Sequence, residues 1–354
     1  MINLAYRLTD YPIKHLQHFQ ITDGDSTMAH KILVTHRIPV EGLKELEGDF
    51  EVKVPESKYF SREELAEMIS EYDALIPVFG FEIGRDLIEK GKNLKIIANF
   101  GAGYNNIDVQ AATERNIVVT NTPATVIEPT AELAFALLLS LVRRVAEFDR
   151  KIKHKEEIRW EVMANLGHTL EGKTLGIIGM GNIGKSMALK AKAFGMNILY
   201  YTRTPMDYTD EKAYSARYHK LDELLRKSDV VSLHTPLNEN TRHLMGDNEF
   251  MKMKKGAFVI NTARGAVINE KALIRYLRNG HLGGAGLDVY EFEPHISEEL
   301  MEMSNVVLAP HIGTANYETR RAMAEEAANN IVKFYKGVRP PNQVNLLDEQ
   351  PGKK

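Results

Sequence analysis

The chain has 354 residues, 44% hydrophobic and 26% charged, with a net charge of −3. Such a length divides into two domains, and the balance is that of an ordinary soluble globular protein. It has no basic excess to attract a phosphate backbone, and its lack of cysteine excludes disulfides, thiol nucleophiles and cysteine-ligated zinc while suiting a cytoplasmic location.

Residues 1–27 carry no hydrophobic signal core, and Met28 stands just before the first clear strand, so this stretch is expected to be an upstream extension, native or appended. His15 and His18 share a loose ligand spacing there, but an isolated pair in a polar leader predicts no metal site. No apolar run approaches the roughly 20 residues of a spanning helix, so no membrane partner is expected.

From residue 31 short β-rich runs alternate with charged segments of helical period. Strands are predicted at 31–38, 51–56, 73–78, 95–101 and 117–123, which implies a parallel sheet covered on both faces. One long helix is predicted over about 130–151, its middle apolar all round and therefore buried between domains or subunits. A second alternation predicts strands at 174–181, 197–203, 229–236, 257–263, 283–289 and 306–312. A last helix, about 317–336, is expected to cross back to the first sheet, because the second is already complete. The expected architecture is α/β: a flavodoxin-like domain and a Rossmann domain, both doubly wound, with a cleft between them. The first domain would be discontinuous, 28–128 plus 314–345, and the second would span 129–313.

Gly179-Met180-Gly181-Asn182-Ile183-Gly184 ends a predicted strand and opens a helix expected from Lys185. In that setting G-x-G-x-x-G is a dinucleotide signature. Gly179 allows the tight turn, Gly181 lets backbone approach a pyrophosphate, and Gly184 lets helix and strand pack closely. NAD-selective sites want an acid at the end of the next strand, but this one runs into Thr202-Arg203-Thr204. Arg203 would pair with a 2′-phosphate, which tilts the choice of NAD or NADP towards NADP. The alternative is that Arg203 is a solvated surface charge and NAD binds. Three further segments lie at strand carboxyl ends, where such sheets bind ligands: 261–265, 287–294 and 309–313.

Taken together, GAGYNNID (101–108), TAELAFALLL (130–139), LEGKTLGIIGMGNIG (170–184), HTPLNENT (234–241), NTARGAVI (261–268), GAGLDVYEFEP (284–294) and APHIG (309–313) resemble the D-isomer-specific 2-hydroxyacid dehydrogenase family over residues 30–345. The strand-end TRT and compact C-terminus are most similar to its glyoxylate or hydroxypyruvate reductases. The resemblance implies an NAD(P)-dependent oxidoreductase that reduces a small 2-keto acid to the D-2-hydroxy acid. Arg264 would bind the substrate carboxylate and carbonyl, and His311 would be the acid–base. Glu293 would orient His311 and favour its imidazolium form. The amides of Ala102 and Gly103 would meet the carboxylate's other oxygen, and Asp288 would lie near the nicotinamide carboxamide. Further cofactor contacts are expected from Thr130, His234, Thr235, Pro236, Thr241, Thr262, Ala263, His311 and Gly313, beside Asn182 and Ile183 in the phosphate turn. One departure stands out: at Asn105 the family more often has Asp, a change that would tune local hydrogen bonding of the substrate loop, and no catalytic role is expected of it. The lone tryptophan, Trp160, would sit in a dimer arm, so a homodimer through 130–165 is expected.

The first-domain loop facing the site is expected to be 77–81, with Phe79 against the substrate. It has no Arg or Lys for a phosphorylated substrate, and the 43 residues after His311 leave no room for a regulatory domain. These points favour glyoxylate, hydroxypyruvate, 2-ketogluconate or a similar acid over D-3-phosphoglycerate. D-Lactate stays open within the family. Outside the enzyme class the alternative is a cofactor-sensing corepressor. A formate dehydrogenase would carry glutamine where Glu293 stands.

Overall fold

The computed structural model describes residues 29–78 and 80–347. The 1–27 extension, with its His15–His18 pair, and Phe79 lie outside the described residues. The first sheet holds β1 (His30–Val34), β2 (Phe50–Lys53), β3 (Ala74–Ile76), β4 (Ile96–Ala98) and β5 (Val118–Thr120), all parallel, in the order β2-β1-β3-β4-β5. This is the flavodoxin-like order. Alternate side chains feed two cores: Ile32, Val34, Ile76 and Ala98 face one side, and Leu33, Leu75, Ile97 and Val119 the other. A parallel strand buried on both faces needs such a continuous apolar run.

The second sheet holds β6 (Thr174–Ile178), β7 (Asn197–Tyr201), β8 (Ala216–Tyr218), β9 (Val230–Leu233), β10 (Ala257–Asn261), β11 (Leu282–Leu287) and β12 (Val306–Leu308). It is parallel throughout, in the order β12-β11-β10-β9-β6-β7-β8. The winding reverses between β6 and β9, and that reversal opens a crevice at the strands' carboxyl ends. β8 is an edge strand with no counterpart among the predicted elements. Three residues, only one of them fully buried, leave too short an alternation to read.

The single helix predicted over 130–151 is instead two, Ile127–Val142 and Val145–Lys153. Arg144 breaks it with φ +58°, and its guanidinium is held to Glu147 through Nε (2.7 Å) and Nη2 (2.8 Å). The first helix starts three residues earlier than expected, with Pro129 tolerated in its first turn, where an amide hydrogen has no helical acceptor. Ala134, Phe135, Leu138 and Leu141 join Leu175, Ile177, Met187 and Ile260 in one core, so this helix lies on the second sheet. The second helix buries none of its residues. Helix Tyr317–Tyr335 follows β12 in sequence, yet Met323, Ala324, Ala327 and Ile331 are buried with β1, β3 and β4 of the first sheet. The chain therefore crosses between the two sheets twice. No helix among the described residues is long and apolar enough to cross a membrane.

Candidate active site

The phosphate turn is built as its glycines require. Gly179 has φ +98°, and a Cβ there would come within 2.6 Å of the His234 carbonyl, so β6 and β9 approach each other only because residue 179 has no side chain. Gly184 packs so tightly on the Gly179 carbonyl that a Cβ would overlap it. Gly181 differs: a Cβ there would meet nothing within 4 Å, so open space lies above it. Helix Asn182–Ala193 begins at once, three residues before the predicted start, and its first amides, including those of Ile183 and Gly184, face that space without helical acceptors. Thr235 and Thr262 each bury a hydroxyl oxygen with no partner among the described residues, at the ends of β9 and β10. A glycine cradle, a free helix N-terminus and two orphaned hydroxyls fit a dinucleotide.

Thr202, Arg203 and Thr204 follow β7 at the surface; Arg203 and Thr204 are exposed, and Arg203 has no hydrogen-bond or ion-pair partner among the described residues. His234 bonds to Ser232 Oγ at 2.9 Å, and burial drives it down to about 4, so it is neutral at ordinary pH. Thr241 closes the 236–241 loop by donating to the Pro236 carbonyl at 2.6 Å. Thr130, on the first long helix, stands beside Gly313.

The catalytic candidates converge from both sheets. Asn261 ends β10 and ties the next loop, accepting from the Ala263 amide and donating to the Arg264 carbonyl, both at 3.0 Å. Gly265 lies flush against the Tyr290 backbone, which brings the loop after β10 onto the loop after β11. Arg264 thereby reaches across to the loop after β4, where Gly103 touches its Nη2 and Asn105 Oδ1 accepts from its Nε at 3.1 Å. Burial lowers the guanidinium below its ordinary range, while the charge of Glu293 opposes that shift.

Asn99 Nδ2 donates to the Gly101 and Gly103 carbonyls at 3.1 and 2.9 Å, and Asn121 Nδ2 to the Ala102 carbonyl at 2.7 Å. With the carbonyls so engaged, the amides of Ala102 and Gly103 have no acceptor among the described residues. Asparagine directly follows a strand at Asn99 and Asn121 and ends one at Asn261. That placement is the signal in the sequence for Asn99 and Asn121, which no motif named above contains.

His311 and Glu293 meet: Nδ1 lies 2.9 Å from Glu293 Oε2, while Glu293 Oε1 accepts from the Tyr290 amide at 2.9 Å. Burial pushes the Glu293 carboxyl up, but the His311 hydrogen bond, the Tyr290 amide and the charges of His311 and Arg264 outweigh it and hold Glu293 below the usual range. His311 has φ +55°, an arrangement that costs a non-glycine residue about 1–3 kcal/mol and persists only when its surroundings impose it. The Asp288 carbonyl accepts from the His311 amide at 2.9 Å, and its carboxylate oxygens accept from the Ile312 and Gly313 amides at 2.7 and 2.9 Å. Asp288 is buried, and burial raises its carboxyl despite those amides. The structure therefore gives Asp288 the shaping of the His311 turn. Phe79, expected at the substrate, is outside the described residues.

The architecture defines a two-sheet enzyme with a dinucleotide crevice. Residues 135–313 match the model of the D-isomer specific 2-hydroxyacid dehydrogenase NAD-binding domain. Glyoxylate reductase of Thermococcus litoralis is 45% identical over 323 residues, 90% of this chain and 97% of that protein. The crystal structure of a glyoxylate reductase from Paecilomyes thermophila superposes with a TM-score of 0.81 at 38% identity, covering 90% of this chain and 99% of that one. The NADPH-dependent glyoxylate/hydroxypyruvate reductase of Sinorhizobium meliloti, solved with NADP and malonate, gives 0.77 at 30% identity over 89% and 96%. The chain belongs to the D-isomer specific 2-hydroxyacid dehydrogenase family and is an NAD(P)-dependent oxidoreductase.

Proposed function

We propose that this enzyme reduces a small 2-keto acid, glyoxylate or hydroxypyruvate foremost, to the D-2-hydroxy acid. The observation that carries the reading is the meeting of Arg264, the Glu293–His311 pair and the open amides of Ala102 and Gly103 at the carboxyl ends of the two sheets. The similarity to proteins named glyoxylate reductase supports the substrate class.

When bound, the nicotinamide cofactor supplies the hydride in reduction and takes it up in oxidation. Arg264 holds the substrate carboxylate, helped by the amides of Ala102 and Gly103, and polarises the adjoining carbonyl through its remaining donors. Glu293 holds His311 Nδ1, and Nε2 would be the ring nitrogen that exchanges a proton with the substrate oxygen. In reduction, protonated His311 donates from Nε2 to the carbonyl oxygen as it becomes a hydroxyl; in oxidation, neutral His311 takes that proton back. Glu293, held ionised, faces Nδ1 and fixes the plane of the ring.

Residues 129–313 would bind the cofactor through Gly179–Gly184 and the orphaned hydroxyls of Thr235 and Thr262. Residues 28–128 with 314–345 would carry the substrate loop. Arg203, exposed and unpaired among the described residues, suits a 2′-phosphate and so NADP. A homodimer through 130–165 is part of the same reading, supported by Trp160 and Val162, which are 92% and 93% exposed after a helix with no fully buried residue. The deciding experiment assays glyoxylate, hydroxypyruvate, 2-ketogluconate, pyruvate and 3-phosphohydroxypyruvate with NADH and NADPH. Highest kcat/KM for glyoxylate or hydroxypyruvate is expected. Preference for the phosphorylated acid, or no turnover, overturns the reading.

A further inference from the structure

Arg264 spends its donors unevenly. Nη1 donates to the Ala263 carbonyl at 2.7 Å, within its own loop, and Nη2 lies against Gly103. Nε donates to Asn105 Oδ1 at 3.1 Å, 159 residues away and on the other sheet's loop. Arginine offers only donors, so the Asn105 amide can face it in one orientation, with Oδ1 inward and Nδ2 turned away. Nε is the nitrogen nearest the flexible stem. A contact there fixes the guanidinium plane and leaves the outer N–H groups that Ala263 does not engage for a ligand.

We propose that Asn105 is a positioning and specificity-determining residue, whose neutral amide oxygen sets the plane of Arg264 from across the cleft and leaves the arginine charge uncommitted for a small anionic substrate. The proposal rests on Arg264 as the carboxylate-binding residue. Charge is the decisive feature. Glu293 already acts on Arg264 through space. A second carboxylate, at position 105, would form an ion pair with the guanidinium before substrate arrived, and the substrate would have to displace or share it. An amide accepts the same N–H without that competition. Asn105 is exposed, so changing it leaves the core untouched.

The test compares Asn105→Ala and Asn105→Asp with the parent, full-length and saturated with cofactor. It measures kcat and KM for glyoxylate, and oxalate affinity by calorimetry. Asn105→Ala loses the tether: kcat should fall and both KM and oxalate Kd should rise, each by about fivefold or more. Asn105→Asp keeps the hydrogen bond but spends the charge. Its kcat should stay within about threefold of the parent, while KM and oxalate Kd rise by about fivefold or more. Unchanged KM and oxalate Kd in Asn105→Ala overturn the proposal, as does parent-like oxalate affinity in Asn105→Asp. A parent that turns over no 2-keto acid overturns the functional reading alone. Oxalate binding still reads the Asn105 contact in that case, and a parent that fails to bind oxalate overturns both.

Discussion

Gly103 and Arg264 come from different sheets and stand in direct apposition, so closely that a methyl group at residue 103 would overlap the arginine Nη2. The loop after β4 lacks a side chain where the guanidinium from the loop after β10 must pass. Gly103→Ala should therefore displace Arg264. We expect KM for the keto acid to rise by about tenfold or more, with turnover also falling, because the same group grips the carboxylate and polarises the carbonyl. Cofactor affinity should hold, since the phosphate turn lies elsewhere. Steady-state kinetics beside cofactor titration would decide; parent-like KM would mean that Arg264 does not act from this position.

The 2.9 Å contact between His311 and Glu293 joins the proposed acid–base to a carboxylate held below its usual range and so ionised at neutral pH. Glu293→Gln keeps the shape of that partner but removes its charge, and kcat for keto-acid reduction should fall by about tenfold or more, with cofactor affinity little changed. His311→Ala should cut kcat by about 10²-fold or more. Steady-state kinetics of all three proteins would decide, and a Gln variant with parent-like kcat would exclude the pairing as a functional one.

Arg203 stands exposed after β7, beside two threonines. Only the 2′-phosphorylated cofactor has a group for it to pair with. Arg203→Ala should weaken NADPH by roughly 10- to 100-fold, as loss of a charge-assisted hydrogen bond would. NADH binding should change little. Equal losses for both cofactors, read by fluorescence titration, would remove Arg203 from the 2′-phosphate site.

Glu147 steadies the helix break at Arg144. The Arg144 hydrogen bond, chiefly, with help from Lys151, overcomes burial and holds its carboxyl at about 2, against an ordinary 4.5. A depressed carboxyl stabilises the fold fully above its unfolded value, and the contribution fades as pH falls towards the folded one. Glu147→Gln should therefore lower Tm at neutral pH, and the gap from the parent should narrow as both are taken from about pH 5 to about pH 3. A gap that stays constant over that range would show that the ion pairs contribute nothing to stability.

Much of this protein is written locally. Apolar runs such as Ile32–Val34 and Ile96–Ala98 identify buried parallel strands because both faces of each must be covered. The phosphate turn is legible because a tight turn, a close approach and a helix start each demand glycine at a set spacing. Arg264, Glu293 and His311 stand out as chemistry-bearing residues at strand ends, and family resemblance adds their expected roles. Other features escaped. β8 is too short to show a period, and the break at Arg144 depends on a guanidinium folding back on Glu147.

What only the tertiary structure decided is which distant groups meet. Asp288 reads from the sequence only as a residue near the cofactor; the fold adds that its two carboxylate oxygens accept from the amides of Ile312 and Gly313 and shape the turn that bears His311. Asn105 reads as a departure that tunes hydrogen bonding within its own loop, yet it reaches Arg264 across 159 residues. The physical reason is the range of the forces involved. Backbone geometry and side-chain periodicity are set by neighbours a few residues away, so they are recorded in the order of the amino acids. A hydrogen bond between two loops exists only once two separately wound sheets have been packed with those loops face to face.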